Sequence, residues 1–231
     1  MDLMEMEMQF DCIVVDPPWR EMNGNTWWSV DELAELNING IGAFPSVLFL
    51  WCGSGGTYDG KHSHFDEACT LLEKWNYRLC EVITWAKTME SAGDKSIHGL
   101  IRRTKEQCLV GLRDYMWKET SANFIHPNID TDVIIAPAMN GKPDAFFELV
   151  ERFCLGRRRL SIFGSTPPNG WITLGPNVPF EEHFDLDKYL AGLRQTALNP
   201  NTPFSIGTSP VIEQLRPKPP VRLKKSEKNK Q

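Results

Sequence analysis

Strand-like and helix-like segments alternate along most of this chain, and that alternation constrains the fold more than any other feature. Short apolar runs rich in valine, isoleucine and leucine indicate buried strands at 10–15, 46–53, 78–87, 106–117, 132–138, 158–164 and 170–175. Apolar residues at helical spacing, with a serine cap or an early proline, predict helices at 29–36, 64–76 and 142–154. This alternation favours an α/β domain, in which helices cover both faces of a mostly parallel sheet.

The stretch FDCIVVDPPWR, residues 10–20, ends the first predicted strand abruptly. Pro17 and Pro18 terminate it, because proline fixes φ and donates no hydrogen bond to a sheet. Asp16 is therefore expected at the carboxyl edge of a strand, where open α/β sheets bind their ligands. A strand that merely stops at a Pro-Pro turn explains this stretch equally well when it is taken without its surroundings.

Residues 16–19, Asp-Pro-Pro-Trp, offer a compact set of groups for holding an aromatic amine. The Asp16 carboxylate and the Pro17 carbonyl can each accept one hydrogen of an exocyclic NH2 group, Trp19 can wall in the ring, and Pro18 helps to keep the turn rigid. An aromatic amine is a poor nucleophile, and two fixed acceptors stabilise the positive charge that develops when it attacks an electrophile. The motif favours methyl transfer to an amino nitrogen, with no metal and no covalent intermediate.

The electrophile needs a site of its own. Gly164, at the end of RRLSIFG, is a strand-to-loop glycine that lets the backbone approach a nucleoside or a carboxylate, although one glycine is a weak signal. Lys142, just before a predicted helix, is placed to meet a carboxylate or a phosphate. A surface lysine at a helix start is an equally ordinary explanation for that residue.

Composition separates a basic C-terminal segment from an acidic remainder. The net charge is −5, but residues 216–231 carry seven Lys or Arg against one Glu, hence +6, which leaves −11 for the rest. A Pro- and Lys-rich segment without aromatic residues is expected to be disordered, as a solubilising tail or as a phosphate-binding one. The expected organisation is a domain at 1–180, an extended arm at 181–215 and the basic tail at 216–231.

Several classes of protein are disfavoured. No apolar run approaches the roughly 20 residues of a membrane helix, and the acidic start MDLMEMEMQF lacks the basic region of a secretory signal. The six cysteines are scattered without a CxxC pair, mostly inside apolar runs. That distribution is typical of reduced core thiols in an intracellular protein rather than of zinc ligands or disulfides.

The order of these motifs resembles one known family, the DPPW-type adenine-N6 methyltransferases of eukaryotes, or MT-A family. The landmarks are, in chain order, DCIVVDPPW, LFLWCGSG, LLEKWNYRLCEVITWAKT, RTKEQCLVGLR, FIHPNIDTDVIIAP, KPDAFFELVERFCLGRRRLSIFG, GWITLGP and IEQLRPK. The resemblance implies a Rossmann-like methyltransferase fold with a circularly permuted mixed sheet, in which the DPPW strand precedes the cofactor strand. It also implies S-adenosylmethionine as methyl donor and adenine in nucleic acid as acceptor.

The resemblance assigns roles to individual residues. The catalytic motif comprises Asp16, Pro17, Pro18 and Trp19, and the cofactor site comprises Asp16, Lys142, Gly164 and Asn177. Asn177 matches a ribose-contacting position and Lys142 matches the cofactor-contacting lysine.

Within the family, FCLGRRRLSIFG, WCGSG, FIHPNID and EQLRPKPP resemble the branch of partner subunits, which support a catalytic sister without performing chemistry. That branch in animals has Glu-Pro-Pro-Leu at the motif, whereas this chain has the catalytic sister's Asp16 and Trp19. Against catalysis, STPPNGW stands where catalytic subunits carry Arg, His and Asn. Catalysis and a scaffold role both stay open, as do RNA and DNA as substrates, with nuclear mRNA adenosine favoured.

Two further groups of residues predict partners. Candidate contacts to nucleic acid are Arg102, Arg103, Lys118, Arg157, Arg158 and Arg159, although the last three also suit a solvated helix end. The family resemblance implies a heterodimer with a related DPPW-type subunit. The crowding of Trp85, Leu112, Tyr115, Met116 and Trp117 predicts its interface, unless these side chains fill the core of this chain.

Overall fold

A computed structural model describes residues 3–19, 28–54, 62–88, 104–114, 130–154, 158–165, 168, 170–179 and 183–187. Its strands are β1 (Phe10–Val15), β2 (Gly42–Trp51), β3 (Arg78–Thr88), β4 (Lys105–Arg113), β5 (Val133–Pro137), β6 (Arg159–Ile162) and β7 (Ile172–Leu174). Its α-helices are α1 (Val30–Glu35), α2 (Ile38–Ile41), α3 (His64–Lys74) and α4 (Asp144–Phe153), and a short 3-10 helix spans Leu3–Met6.

The seven strands form one mixed sheet in the order β5-β3-β4-β2-β1-β6-β7. Strand β4 is antiparallel to both of its neighbours, β2 and β3, and every other adjacent pair is parallel. The predicted α/β class and the mixed sheet of the Rossmann-like methyltransferase fold are therefore confirmed. Strand β1, which lies between β2 and β6, is buried along almost its whole length, and this is why its sequence is a continuous apolar run.

Helices cover both faces of the sheet, and each face has its own hydrophobic core. On one face, alternate residues of β1 and β2, such as Ile13 and Leu48, pack with the buried residues of α1, α2 and α3. On the other face, the intervening residues, such as Val14 and Phe49, pack with Phe146 and the rest of the α4 stripe. The period of two along each strand thus sends one set of side chains to each core.

The helix starts follow the caps that the sequence contains. The Ser29 side chain accepts a hydrogen bond from the backbone N–H of Glu32, and the Glu32 side chain accepts one from the Ser29 backbone. Ser63 caps α3 in the same way through the backbone N–H of Asp66. These serines fix where α1 and α3 begin at the edge of the sheet.

The structure differs from the sequence prediction at a few boundaries. Strand β2 begins at Gly42, before Pro45, because its pairing with β1 is irregular between Phe10 and Cys12 and no ladder donor is required there. The short helix α2 was not predicted, since its sequence Ile-Asn-Gly-Ile has low helix propensity and is held by the Asn37 cap.

The interface prediction is wrong for two of its five residues. Trp85 is 1% exposed and Leu112 is 8% exposed, and both belong to the core beneath α4. Successive residues of a strand point to opposite faces, and Trp85 and Leu112 lie at positions that point toward this core. The indole N–H of Trp85 also donates to the Ala136 carbonyl at 3.1 Å. Tyr115, Met116 and Trp117 lie outside the described residues.

The cysteines match their predicted role in four cases of six. Cys12, Cys52, Cys108 and Cys154 are buried free thiols, whereas Cys69 is half-buried and Cys80 is exposed. Burial raises the pKa of Cys52 to about 12, which keeps that thiol protonated and unreactive.

Candidate active site

One edge of the sheet collects four charged side chains, each from a different strand or its following loop. Asp16 follows β1 and Lys142 follows β5 by a short loop, while the uncharged Gly164 lies two residues after β6 at the same edge. Because β4 runs in the opposite direction, its first residues, including Glu106, lie at this same edge beside the last residues of β3, including Lys87. The topology therefore brings these groups to the carboxyl edge of β1, as the sequence predicts for Asp16.

Asp16, Lys142, Glu106 and Lys87 form a chain of ion pairs. The Lys142 ammonium lies 2.9 Å from the Asp16 carboxylate and 2.7 Å from the Glu106 carboxylate. The other Glu106 oxygen lies 2.6 Å from the ammonium of Lys87. Lys142 also lies 4.7 Å from the centre of a Trp51 ring, so its ammonium contacts two carboxylates and one aromatic face.

Burial and pairing shift the pKa values of this cluster in different directions. Burial raises the pKa of Asp16, and the neighbouring Lys142 offsets that shift only in part. Burial acts in the same sense on Glu106, but Lys142 and Lys87 outweigh it and lower the pKa of that carboxyl. Burial works against the charge of Lys142, yet Asp16 and Glu106 together raise its pKa. Burial thus makes the Asp16 carboxylate more basic than an ordinary aspartate, which suits an acceptor for amino hydrogens.

The aromatic residue of the motif is fixed on two sides. The Trp19 indole N–H donates to the Trp51 carbonyl at 2.6 Å. One Trp19 ring stacks on His64, the first residue of α3, with ring centres 5.4 Å apart and planes inclined by 24°. Pro17 is buried and Pro18 is exposed. The four motif residues are thus held by β1, β2 and α3 together, which preorganises the turn.

Gly164 lies at the strand-to-loop junction that the sequence predicts, but its neighbours give a packing reason for the glycine rather than a ligand-binding one. A Cβ on Gly175 would lie 2.1 Å from the Gly164 carbonyl oxygen, and a Cβ on Gly164 would lie 2.7 Å from a methyl group of Thr173. The absence of a side chain at these two positions therefore lets the loops after β6 and β7 pack backbone against backbone. Asn177 is exposed in the turn after β7, at the same edge of the sheet.

Comparison with known proteins identifies the family of this chain. The family model MT-A70 matches residues 10–177, which include the DPPW motif, Lys142, Gly164 and Asn177. The chain belongs to the MT-A70 family.

Several curated relatives of this MT-A70 chain are named as adenosine methyltransferase subunits. The zebrafish (Danio rerio) protein named N(6)-adenosine-methyltransferase non-catalytic subunit METTL14 is 37% identical over 236 residues, which is 95% of this chain and 49% of that protein. The Drosophila melanogaster protein of the same name is 33% identical over 242 residues, 95% of this chain and 57% of that protein. A rice (Oryza sativa) protein named probable N(6)-adenosine-methyltransferase MT-A70-like is 31% identical over 183 residues, 74% of this chain and 23% of that protein.

This chain therefore spans about half the length of the METTL14 relatives that it matches.

The residues predicted to contact nucleic acid differ in their exposure in this MT-A70 chain. Arg159 is fully buried, with its guanidinium 3.2 Å from the Glu151 carboxylate and 5.9 Å from the centre of the Trp171 ring. The prediction for Arg159 is wrong, because a side chain inside the core cannot reach a phosphate. Arg158 is about one quarter exposed, and its Nε lies 3.1 Å from the Asp11 carboxylate. Arg102, Arg103, Lys118 and Arg157 lie outside the described residues.

The sequence did not predict Glu106, Lys87, Trp51 and His64 as parts of the site. Glu106 and Lys87 stand at the ends of predicted strands, which is a signal that they lie at an edge of the sheet. Only the antiparallel pairing of β3 and β4 brings those two ends together, and that pairing cannot be read from the sequence. Over the described ranges, no cluster of His, Cys, Asp or Glu is arranged to hold a metal ion, and no helix is long and apolar enough to cross a membrane.

Proposed function

We propose that this chain is a subunit of a heterodimeric, S-adenosylmethionine-dependent adenine-N6 methyltransferase that acts on nucleic acid. The observation that carries the proposal is the Asp16 carboxylate, fixed at the carboxyl edge of a buried strand, within an intact DPPW sequence and 2.9 Å from Lys142. The names of the relatives favour adenosine in RNA as the acceptor. We further propose nuclear mRNA as the substrate and a related DPPW-type subunit as the partner.

The acceptor amine suits the first two residues of the motif. Asp16 and the Pro17 carbonyl accept the two amino hydrogens, so that the nitrogen lone pair turns away from the ring and toward the electrophile. The carboxylate stabilises the positive charge that develops on the nitrogen and then takes the proton that the methylated amine loses. The raised pKa of Asp16, which results from burial, makes the carboxylate a better proton acceptor for this role.

The polar side chains at this edge of the sheet also suit S-adenosylmethionine, which supplies an electrophilic methyl group when it is bound. Lys142 offers an ammonium for a carboxylate, and Asp16 and Glu106 offer carboxylates for cationic groups. Asn177 is an exposed amide that can hydrogen-bond to ribose hydroxyls. The charged groups of the cluster balance, since two acids face two lysines.

A second candidate function rests on the same lysine. Lys142 is already shared between Asp16 and Glu106, and in a scaffold subunit such a closed ion-pair chain would serve to stabilise the domain rather than to bind a ligand. Relatives named as non-catalytic subunits favour this alternative. Such a scaffold subunit would bind the substrate of a catalytic partner without transferring the methyl group itself. DNA adenine is a third candidate substrate, because phosphate contacts hardly distinguish RNA from DNA.

Methyl transfer by the complex of this chain with a catalytically inactive partner tests the proposal. Asp16→Ala should lower the rate of transfer to RNA by roughly a hundredfold or more while leaving the fold and the complex intact, since losing one preorganised acceptor costs about 3 kcal/mol. Asp31→Ala is the matched control, because Asp31 is an exposed carboxylate that pairs with the surface residue Lys74. Its activity should equal that of the unmodified chain.

The scaffold alternative predicts the reverse pattern. Transfer that depends entirely on the partner's motif, and that is unchanged by Asp16→Ala, would refute catalysis by this chain. Calorimetry of S-adenosylmethionine binding to this chain then gives an independent measurement, since a scaffold whose Lys142 is held by its own carboxylates should not bind the cofactor.

A further inference from the structure

Two aromatic side chains meet beside the motif: Trp28 lies at the surface, and Phe163 lies at the margin of the core that α1, α2 and α3 cover. Trp28 is 36% exposed, and a ring of Trp28 lies 5.2 Å from the half-buried ring of Phe163, with the planes inclined by 75°. The Trp28 backbone N–H donates to the Pro18 carbonyl at 3.2 Å, which ties this residue to the DPPW turn. An exposed indole, backed by a half-buried phenyl ring, therefore borders the place where the acceptor amine is proposed to bind.

The backbone at Phe163 supports a functional reason for this pair. Phe163 has a φ of +68°, the left-handed region that bulky residues rarely adopt, directly after β6 at the carboxyl edge. Its backbone N–H donates to the Leu174 carbonyl at 2.6 Å, and this bond holds the conformation. Strained residues of this kind cluster at ligand sites, where the surrounding structure compensates for the strain.

We propose that Trp28 and Phe163 form a stacking site for a base of single-stranded nucleic acid, next to the base that is methylated. The inference rests on the proposed function, because the acceptor adenine is assigned to Asp16 and Pro17. Planar bases stack on exposed aromatic rings regardless of sequence, and an edge-to-face pair fixes the planes of both rings in advance. The Trp28 backbone is hydrogen-bonded to the DPPW turn, so the Trp28 ring lies beside the residues that are proposed to hold the acceptor.

The test is the binding of the full chain to short single-stranded RNAs that carry one 2-aminopurine, a fluorescent purine that is quenched when it stacks. The unmodified chain should quench the probe at one position of the RNA. Trp28→Ala should weaken binding about tenfold, within the range for one stacked base. Trp28→Phe should retain most of the affinity and the quenching, because it keeps an aromatic face.

Two controls separate stacking from other effects. Leu79→Ala removes a comparably exposed apolar side chain, 40% exposed, at the far end of β3, and should leave binding unchanged. The dependence of affinity on salt should have the same slope in Trp28→Ala as in the unmodified chain, because stacking releases no counterions. A change of slope would assign Trp28 to phosphate contacts and overturn the proposal.

Other outcomes also overturn it. Absence of quenching by the unmodified chain, or equal affinity of Trp28→Ala and the unmodified chain, would remove the stacking site. Loss of S-adenosylhomocysteine binding in Trp28→Ala, with RNA binding intact, would assign the rings to the adenine of the cofactor instead. Methyl transfer is not the readout: a chain that stacks the probe but transfers no methyl group refutes the catalytic proposal and leaves the stacking site standing.

Discussion

The ion-pair chain at the carboxyl edge predicts how much unfolding free energy the chain loses when Lys142 is replaced. Lys142→Met removes the ammonium that Asp16 and Glu106 share, while Lys87 still pairs with Glu106. The charge left without a partner is therefore that of Asp16, whose side chain is 28% exposed. Breaking a buried pair costs roughly 3–5 kcal/mol, and the partial exposure of Asp16 places the expected loss near the lower limit, about 3 kcal/mol.

The pH dependence of that loss follows from the pKa of Asp16. Burial already raises this pKa in the folded chain, and removing Lys142 raises it further, because Lys142 is what lowers it. An acid whose pKa is raised by folding contributes stability below its ordinary pKa, and that contribution is lost as the pH rises through the folded-state pKa. The deficit of Lys142→Met should therefore be largest near neutral pH and should shrink as the pH falls toward about 4.

Urea unfolding, followed by circular dichroism at several pH values, measures both effects. Lys74→Met is the matched control: Lys74 pairs with Asp31 at 3.1 Å, but the two side chains are 42% and 93% exposed, so its loss should stay below about 1 kcal/mol. Adding Asp16→Asn to Lys142→Met should restore most of the lost stability, since it removes the unpaired charge. A deficit no larger than that of Lys74→Met, or one independent of pH, would refute this account of the cluster.

Two further predictions follow from the structure and from the charge distribution. Arg159→Met should destabilise the chain by about 3 kcal/mol or more in urea unfolding, because it leaves the carboxylate of Glu151 buried beside Trp171 without its cation. RNA affinity per folded molecule should not change, and a large loss of that affinity would show that Arg159 contacts RNA after all. Deleting residues 216–231, which carry +6, should weaken binding to nucleic acid of any sequence and flatten its salt dependence; equal binding at two salt concentrations would leave the segment as a solubilising tail.

The strands could be predicted from the sequence because buried strands leave a strong local signal. The runs FDCIVV and SVLFLW are apolar at almost every position, since both faces of β1 and β2 are covered. The site could be predicted only where one segment contains it, as in the DPPW turn. Glu106 and Lys87 are distant from Asp16 in the sequence, and they reach it through the reversed direction of β4, which has no local signature.

Arg159 shows why charge alone misplaces a residue. Three consecutive arginines normally indicate a solvated surface, but successive residues of a strand point to opposite faces. Arg158 reaches Asp11 at the partly exposed start of β6, whereas Arg159 enters the core beneath α4. The carboxylate that compensates it belongs to Glu151 on α4, and the indole N–H of Trp171 donates to that carboxylate at 2.9 Å. No pattern within RRRL predicts that Arg159 has one partner, Glu151, on a helix and another, Trp171, in the loop before β7.

The balance of charge at the carboxyl edge limits the ligands that the site can accept. Asp16 and Glu106 face Lys87 and Lys142, and the contacts among them leave no carboxylate of this cluster without a cation. A purely anionic ligand group would compete with two carboxylates for Lys142 and would leave at least one of them unpaired in a largely buried place, which is costly. A group that carries a carboxylate and a cation together can exchange partners with the cluster and leave every charge paired. The amino-acid end of S-adenosylmethionine is such a group, so the neutrality of this cluster is itself a reason to expect a zwitterionic ligand beside Asp16.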